Sequence, residues 1–374
     1  AQAFALVEAV GKGDYSGKRA TATYEAVRAI LVSAEATEAA SGTSWATATS
    51  FADALARVGS DWEIWMKAGT YVRTSRIDYK GPAAYSFYGG FSGNDDWPDE
   101  LAEDPYSIWD GNDSGSGFFW FENTTTYQWE FIFDHIHFTH STGSMLNRRE
   151  GASLRVRNCK FTDCRSTVRG AQGIHCGSYN ARRSFTTCEH CLFANLQRSA
   201  VSDSALGGVA LYADAQATVF LDDCTFVSNS IPLDSTAFWN RHKAGAAIST
   251  SGSSILKARR CKFVCHRSDI VYNSWGTGGA SAVSLSGSCS GSLFENCLFI
   301  GNEDTLSLDP KSWPGGALNI SGANASQTVT VHRCTFAYNL HMGLDSAAGL
   351  TVEVGHADVS DCIFYGNVVS TRNT

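Results

Sequence analysis

Three tryptophans recur at nearly the same distance behind a repeated cysteine: Trp239, Trp275 and Trp313 stand 15, 14 and 16 residues after Cys224, Cys261 and Cys297. Each sits in an insertion, at 230–244, 266–277 and 301–314. If the repeats stack, these insertions lie side by side and their rings form a platform. Aromatic faces stack on the apolar faces of sugars, while nearby polar groups fix orientation. The ligand-binding set read from this stretch is Trp239, Tyr272, Trp275, Lys311 and Trp313. An acid–base pair for breaking a polysaccharide would come from the same loops, with His242 or Lys243 as base and Asp234 or Asp269 as acid. On the plainer reading each tryptophan anchors its own loop to the scaffold. No residue is committed to catalysis on this pattern, and the expectation leans away from an enzyme.

A second set of polar residues immediately precedes each repeated cysteine, or the Ile that replaces it: His135, Asn158, His190, Asp223, Arg260, Asn296, Arg333 and Asp361. Alternation points this column outward. Asp222, Asp223, Arg259 and Arg260 fall on neighbouring repeats. They could supply the base and positive charge needed to draw a proton from beside a uronate carboxylate. They could equally form solvated Asp–Arg pairs worth little energetically. Calcium wants several converging carboxylates. Only Asp222 and Asp223 stand in this column, so no metal site is assigned and Ca²⁺ stays a secondary expectation. His135, His137 and His140 cluster early, and alternation puts His135 and His137 on one outer face as a surface patch.

The elements that must position these groups are read from the repeat itself. Cys-x-Phe recurs at Cys159, Cys191, Cys224, Cys261, Cys297, Cys334 and Cys362, with steps of 32, 33, 37, 36, 37 and 28 residues, and Ile136-His137-Phe138 is an earlier copy. Phe-x-x-Asn follows the same period at Asn229, Asn302, Asn339 and Asn367, as does a Gly-Gly or Ala-Gly step before a short apolar strand. Each repeat holds two or three period-two strands and no helix-length amphipathic run. That pattern predicts an all-β solenoid, a right-handed parallel β-helix of about eight or more coils. Eight coils at the inter-strand spacing would extend about 40 Å. The Cys and Phe columns should point inward, with cysteine acting as a small hydrophobe. The Asn column is expected at a turn, where Asn tolerates left-handed geometry and its amide can bond from coil to coil.

Of the 12 cysteines, Cys164, Cys176, Cys188, Cys265 and Cys289 stand off the Cys-x-Phe pattern and are the candidates for disulfides. Residues 1–130 are read as an N-terminal capping region with the first coils, and 131–374 as the repeats, continuing beyond the chain on one reading. Within the cap, Thr49 or Ser50 should begin a short helix whose apolar face is Phe51, Leu55 and Val58. Trp62–Met66 should be a strand, Gly69-Thr70-Tyr71 a turn into another, and Gly89–Gly93 a tight corner. The first 28 residues either add a strand around Val27–Val32 or fold over the end. A net charge of −8 argues against general nucleic-acid binding. No apolar run reaches the roughly 20 residues that span a bilayer. The opening Ala1-Gln2-Ala3 fits a mature end left by signal cleavage.

Gly42-Thr43-Ser44-Trp45-Ala46-Thr47-Ala48, Gly69-Thr70-Tyr71 and Tyr88-Gly89-Gly90-Phe91-Ser92-Gly93 resemble the opening of bacterial right-handed β-helix proteins of the pectate-lyase-like superfamily. The Gly-Gly-Ala-Leu and Phe-x-x-Asn repeats resemble those of chlamydial polymorphic outer-membrane proteins. The resemblance covers about residues 29–374. It implies the β-helix fold and a secreted or cell-surface bacterial location. It is weaker on activity, since that fold carries lyases, hydrolases and adhesins. Those polymorphic proteins end in a membrane barrel that this sequence lacks, and Thr374 directly follows a coil with no evident cap. The leading expectation is a structural or adhesive rod binding glycans or protein partners through its side loops, or self-assembling at the C-terminal coil. The alternatives are a polysaccharide lyase or glycoside hydrolase using the outer face, and a segment of a surface filament or giant surface protein.

Overall fold

The computed structural model describes residues 4–10, 19–25, 28–36, 39–59, 62–79, 84–94, 104–114, 117–122, 130–150, 153–166, 171–177, 184–198, 208–232, 245–269, 280–304, 315–342 and 347–370. From residue 28 onward the chain winds as a right-handed parallel β-helix. Four sheets run along it, of eleven, ten, nine and seven strands, each ordered as the sequence is. The first runs from Arg28–Val32 to His356–Ser360, and the second from Gly69–Val72 to Ile363–Tyr365. The third runs from Ile77–Tyr79 to Leu350–Val354, and the fourth, of two-residue strands, from Arg165–Ser166 to Val368–Val369. A typical coil passes Ala217–Asp222, Thr225–Val227, Ser230–Ile231 and Ile248–Thr250 before Ile255–Arg259 opens the next. Eleven strands at the parallel spacing give the first sheet a length of about 50 Å. Apart from this, Phe4–Val10 and Arg19–Glu25 form an antiparallel pair.

The interior consists of columns of like residues. Phe138, Phe161, Phe193, Phe226, Phe263, Phe299, Phe336 and Phe364 stack ring on ring, with centroids 4.6–5.1 Å apart and planes within 18°. Beside them runs the Cys column. Cys224 Sγ donates to the carbonyl of Cys188 at 3.3 Å, and Cys297 Sγ to that of Ala258 at 3.4 Å. Ten of the twelve cysteines are buried, and of the off-pattern five Cys164, Cys176, Cys188 and Cys265 carry free thiols rather than disulfides.

The asparagines are a correction to the turn reading. The left-handed residue is the one before each of them: Ser228, Gly301, Tyr338 and Gly366 have φ of 53–61°. Asn229, Asn302 and Asn339 point inward and are fully buried. Their amides do bond from coil to coil: Asn302 Nδ2 donates to Asn339 Oδ1 at 2.9 Å and to the Phe263 carbonyl at 3.0 Å. The coil between Asn229 and Asn302 puts His266 in this column. Its Nδ1 accepts from the Asn229 backbone N–H at 3.1 Å, and its buried Nε2, beside the Phe226 backbone, makes no well-aligned hydrogen bond. Burial pushes the imidazole from its ordinary 6.5 down to about 3.

His266→Asn should therefore stabilise the protein by about 1 kcal/mol at neutral pH, because a buried, poorly bonded donor is replaced by a bonded amide. The folded imidazole has the depressed value, so the unfolded chain binds the extra proton. Stability is whole above pH 6.5 and falls as pH drops from 6.5 towards 3, by about 1.4 kcal/mol per unit. Denaturant unfolding at pH 7.5 and 5 should show the variant's advantage growing by about 2 kcal/mol. An advantage that stays flat with pH would contradict this account.

The N-terminal end is closed as the sequence suggests. Ser50 caps the helix Phe51–Arg57, its Oγ accepting from the Asp53 N–H at 3.2 Å. Phe51 enters the end of the coil stack, 5.1 Å from the Trp109 ring and 6.4 Å from Phe87. Arg28–Val32 is a strand, the first of its sheet. Gly69–Val72 is a strand rather than a turn, because it pairs in register with Ser107 to Asp110. Gly89 and Gly90 also lie within a strand, Ser86–Phe91. A Cβ on Gly89 would meet the His135 carbonyl oxygen at 2.5 Å, so the next coil requires glycine there. Among the described residues no helix is long and apolar enough to cross a membrane.

Candidate functional site

Two lines of left-handed corners run along the rod. The first, between the first and second sheets, is the column before each repeated Cys. His135, Asn158, His190, Asp223, Arg260, Asn296, Arg333 and Asp361 all have φ of 50–57°. Such a corner costs a non-glycine residue about 1–2 kcal/mol. The backbone ladder continues through it, Asp223 N donating to the Arg259 carbonyl at 3.0 Å. The four charged candidates already have partners on adjacent coils: Arg260 with Asp222, Arg259 with Glu295 at 3.1 Å, and Asp223 3.2 Å from His190 Nδ1. These contacts answer the charges locally and leave no open cluster. Among the described residues no three His, Cys, Asp or Glu side chains gather where a metal ion could be held.

The three histidines do not share one face. His135 is at the first corner, nearly buried near Tyr106 and bonded to Asp134 at 2.8 Å. His137 faces out from the second sheet, its Nε2 2.8 Å from Thr162 Oγ1. Burial, with Lys160 nearby, pulls its imidazole below the usual range. His140 is at the second corner, with Nδ1 3.2 Å from Asp110. The left-handed turns at 135 and 140 break the strict alternation on which a shared face depends.

Of the residues assigned to the side loops, Asp234, Trp239, His242, Lys243, Tyr272, Trp275, Lys311 and Trp313 lie outside the described residues. Asp269 is described, and both its oxygens sit 2.9 Å from Arg267 Nε. At the base of these loops, Asp304 and His341 stack on adjacent coils, Oδ2 to Nδ1 3.2 Å, each about 2% exposed. Burial raises the Asp304 carboxyl above its ordinary value, and the His341 bond opposes that shift. A Cβ at Gly315 would lie 2.4 Å from the His341 ring. The pair is sealed between coils and closed to solvent.

The open site is at the second corner line. There a groove of about 660 Å³ crosses several coils. One wall is the corner column His140, Asp163, Asn195 and Ser228, with φ of 50–55°. The other is the outward column of the fourth sheet, Arg165, Gln197 and Ser230, with Asp113 and Thr142 closing one end. Each coil therefore presents a pair: Asp163 with Arg165, Asn195 with Gln197, Ser228 with Ser230. Between them the intervening residue points inward to the ladder as Cys164, Leu196 or Asn229, all buried. Asn195 Nδ2 donates to Asp163 Oδ1 at 3.2 Å, leaving that carboxylate's other oxygen available. This arrangement can hold a chain of hydroxyl groups along the rod. Reading the sequence for tryptophans missed it. The available signal was the polar residue two and four positions after each Phe.

Residues 112–263 match the family model of the right-handed β-helix region. No curated protein matches the chain. Among solved structures, the crystal structure of pectate lyase Pel9A is similar over 90% of this chain and 78% of that one, at 14% identity and a TM-score of 0.36. With four parallel sheets in sequence order, the family match identifies the fold as a right-handed parallel β-helix.

Proposed function

We propose that this protein is an exported bacterial β-helix rod that binds a glycan along its side. The observation that carries this reading is the polar groove of about 660 Å³ at the second corner line, with paired hydrogen-bonding side chains on successive coils. Sugar hydroxyls need such paired donors and acceptors, and a rigid scaffold lowers the ordering cost of binding. An oxidising compartment would leave most of the thiols untouched: ten of twelve are buried, and burial pushes Cys164 up to about 12. A buried protonated thiol is a poor target for oxidants.

The test is affinity electrophoresis of the full chain through gels containing neutral and acidic polysaccharides, with mass spectrometry of the polymer afterwards. At least one polymer should retard the protein without being cut. Arg165→Gln should weaken that binding about tenfold, the loss of one charge-assisted bond. Failure of every polymer to retard the chain would sink the reading. Cleavage products that disappear in His140→Gln would make the protein an enzyme instead, with His140 as the imidazole that lines the groove.

A further inference from the structure

The charges in the groove are confined to one end. Asp163 and Arg165 form the first rung, and Asp113 stands beside them. The next two rungs, Asn195 with Gln197 and Ser228 with Ser230, carry amides and hydroxyls only. Two carboxylates thus oppose one guanidinium before His140 is counted, and a third carboxylate, Asp110, is 3.2 Å from that histidine. A polyuronate carries one negative charge on every sugar. Laid in the groove it would meet one cation, at least two carboxylates, and two rungs with nothing to neutralise it. Like charges brought together without counter-charge are repelled, and a desolvated carboxylate needs a paired cation.

An uncharged sugar meets no such penalty. Its hydroxyls donate to Asp163 and accept from Arg165, and amides and hydroxyls serve both roles on the rungs beyond. From this charge distribution, and resting on the glycan-binding reading above, we infer that the groove takes an uncharged polysaccharide and rejects the same chain when it carries uronates. Selectivity arises from Asp113 and Asp163, while Arg165 supplies binding to any chain.

The experiment uses the full protein and a matched pair of polymers. The neutral polysaccharide that retards the protein most is compared with its own derivative oxidised at C6 to the uronate, at low and at high salt. The neutral chain should bind at least tenfold more tightly at low salt. High salt should narrow that gap, because the repulsion is screened. The double variant Asp113→Asn with Asp163→Asn should also narrow it, whereas Arg165→Gln should weaken binding of both polymers. Equal or tighter binding of the oxidised chain overturns the inference while leaving glycan binding intact, as does a gap unmoved by the double variant. Binding of no polymer at all removes the glycan reading itself, and this inference with it.

Discussion

Replacing Phe226 with alanine is expected to cost about 3–5 kcal/mol of stability. The ring is fully buried and lies between Phe193, 4.6 Å away at 2°, and Phe263, 5.1 Å away at 12°. Removing it loses both the transferred apolar surface and the contacts of two neighbouring faces. Collapse cannot repair the hole. Phe193 and Phe263 belong to strands held in register by backbone bonds on either side, Phe193 opposite Phe226 and Phe226 opposite Phe263. The cost should therefore sit near the upper end of the range. Thermal unfolding should move down by roughly 5 °C for a chain of this size. A solenoid's stability is a sum over neighbouring coils, so the loss should be local first. Amide exchange should quicken most at the coils carrying Phe193, Phe226 and Phe263. A midpoint shift under one degree, with exchange unchanged there, would mean the aromatic column is ornamental to stability.

Asn302→Leu should be comparably damaging, at about 3–5 kcal/mol, although the two side chains are close in volume. Asn302 Oδ1 accepts from the His266 N–H at 3.1 Å, and its Nδ2 donates to Phe263 and Asn339. Leucine leaves the His266 N–H and the Phe263 carbonyl buried without these partners, each costing about 1–3 kcal/mol. Phe226→Ala and Asn302→Leu thus break different forces in the same coils. The phenylalanine loses packing, whereas the asparagine loses only hydrogen bonds. Denaturant unfolding gives the size of each effect, and exchange of the His266 amide separates them. That amide should lose protection in Asn302→Leu. If it stays protected, the side-chain ladder is not what holds it.

The groove and the ladder explain each other. Phe-x-x-Asn puts one residue into the core and leaves its two neighbours outside, at a corner and on a two-residue strand. Where the inward residue is Cys164, Leu196 or Asn229, the outward neighbours are Asp163 and Arg165, Asn195 and Gln197, Ser228 and Ser230. Further along, the same outward positions hold Cys265 and Arg267, then Gly301 and Glu303, then Tyr338 and Leu340. The corner position there is a thiol, a glycine or an aromatic ring, and its neighbour is Arg267, Glu303 or Leu340, so the matched polar pairs end although the backbone corner is unchanged.

Much of this rod was legible in the order of its residues. A period of 28–37 residues carrying Cys-x-Phe at one place can only be satisfied by stacking, because a single coil cannot bury its own apolar face. The inward columns, the parallel sheets and the helix begun at Ser50 follow from that and from local capping chemistry. What tertiary structure alone decided were the corners. A left-handed residue at His140, Asp163 or Ser228 reverses which side chains face out, and nothing in those residue types announces it, since Arg260 and Tyr338 adopt the same geometry. The coil above and below imposes that turn through its hydrogen bonds, at a cost the residue alone would refuse. Alternation therefore failed at those points, sending His135 and His137 to one face and the asparagines to the turn. For the same reason a groove built from one corner residue and one strand residue per coil, in columns spaced 32 and 33 residues apart, became visible only once the coils were stacked.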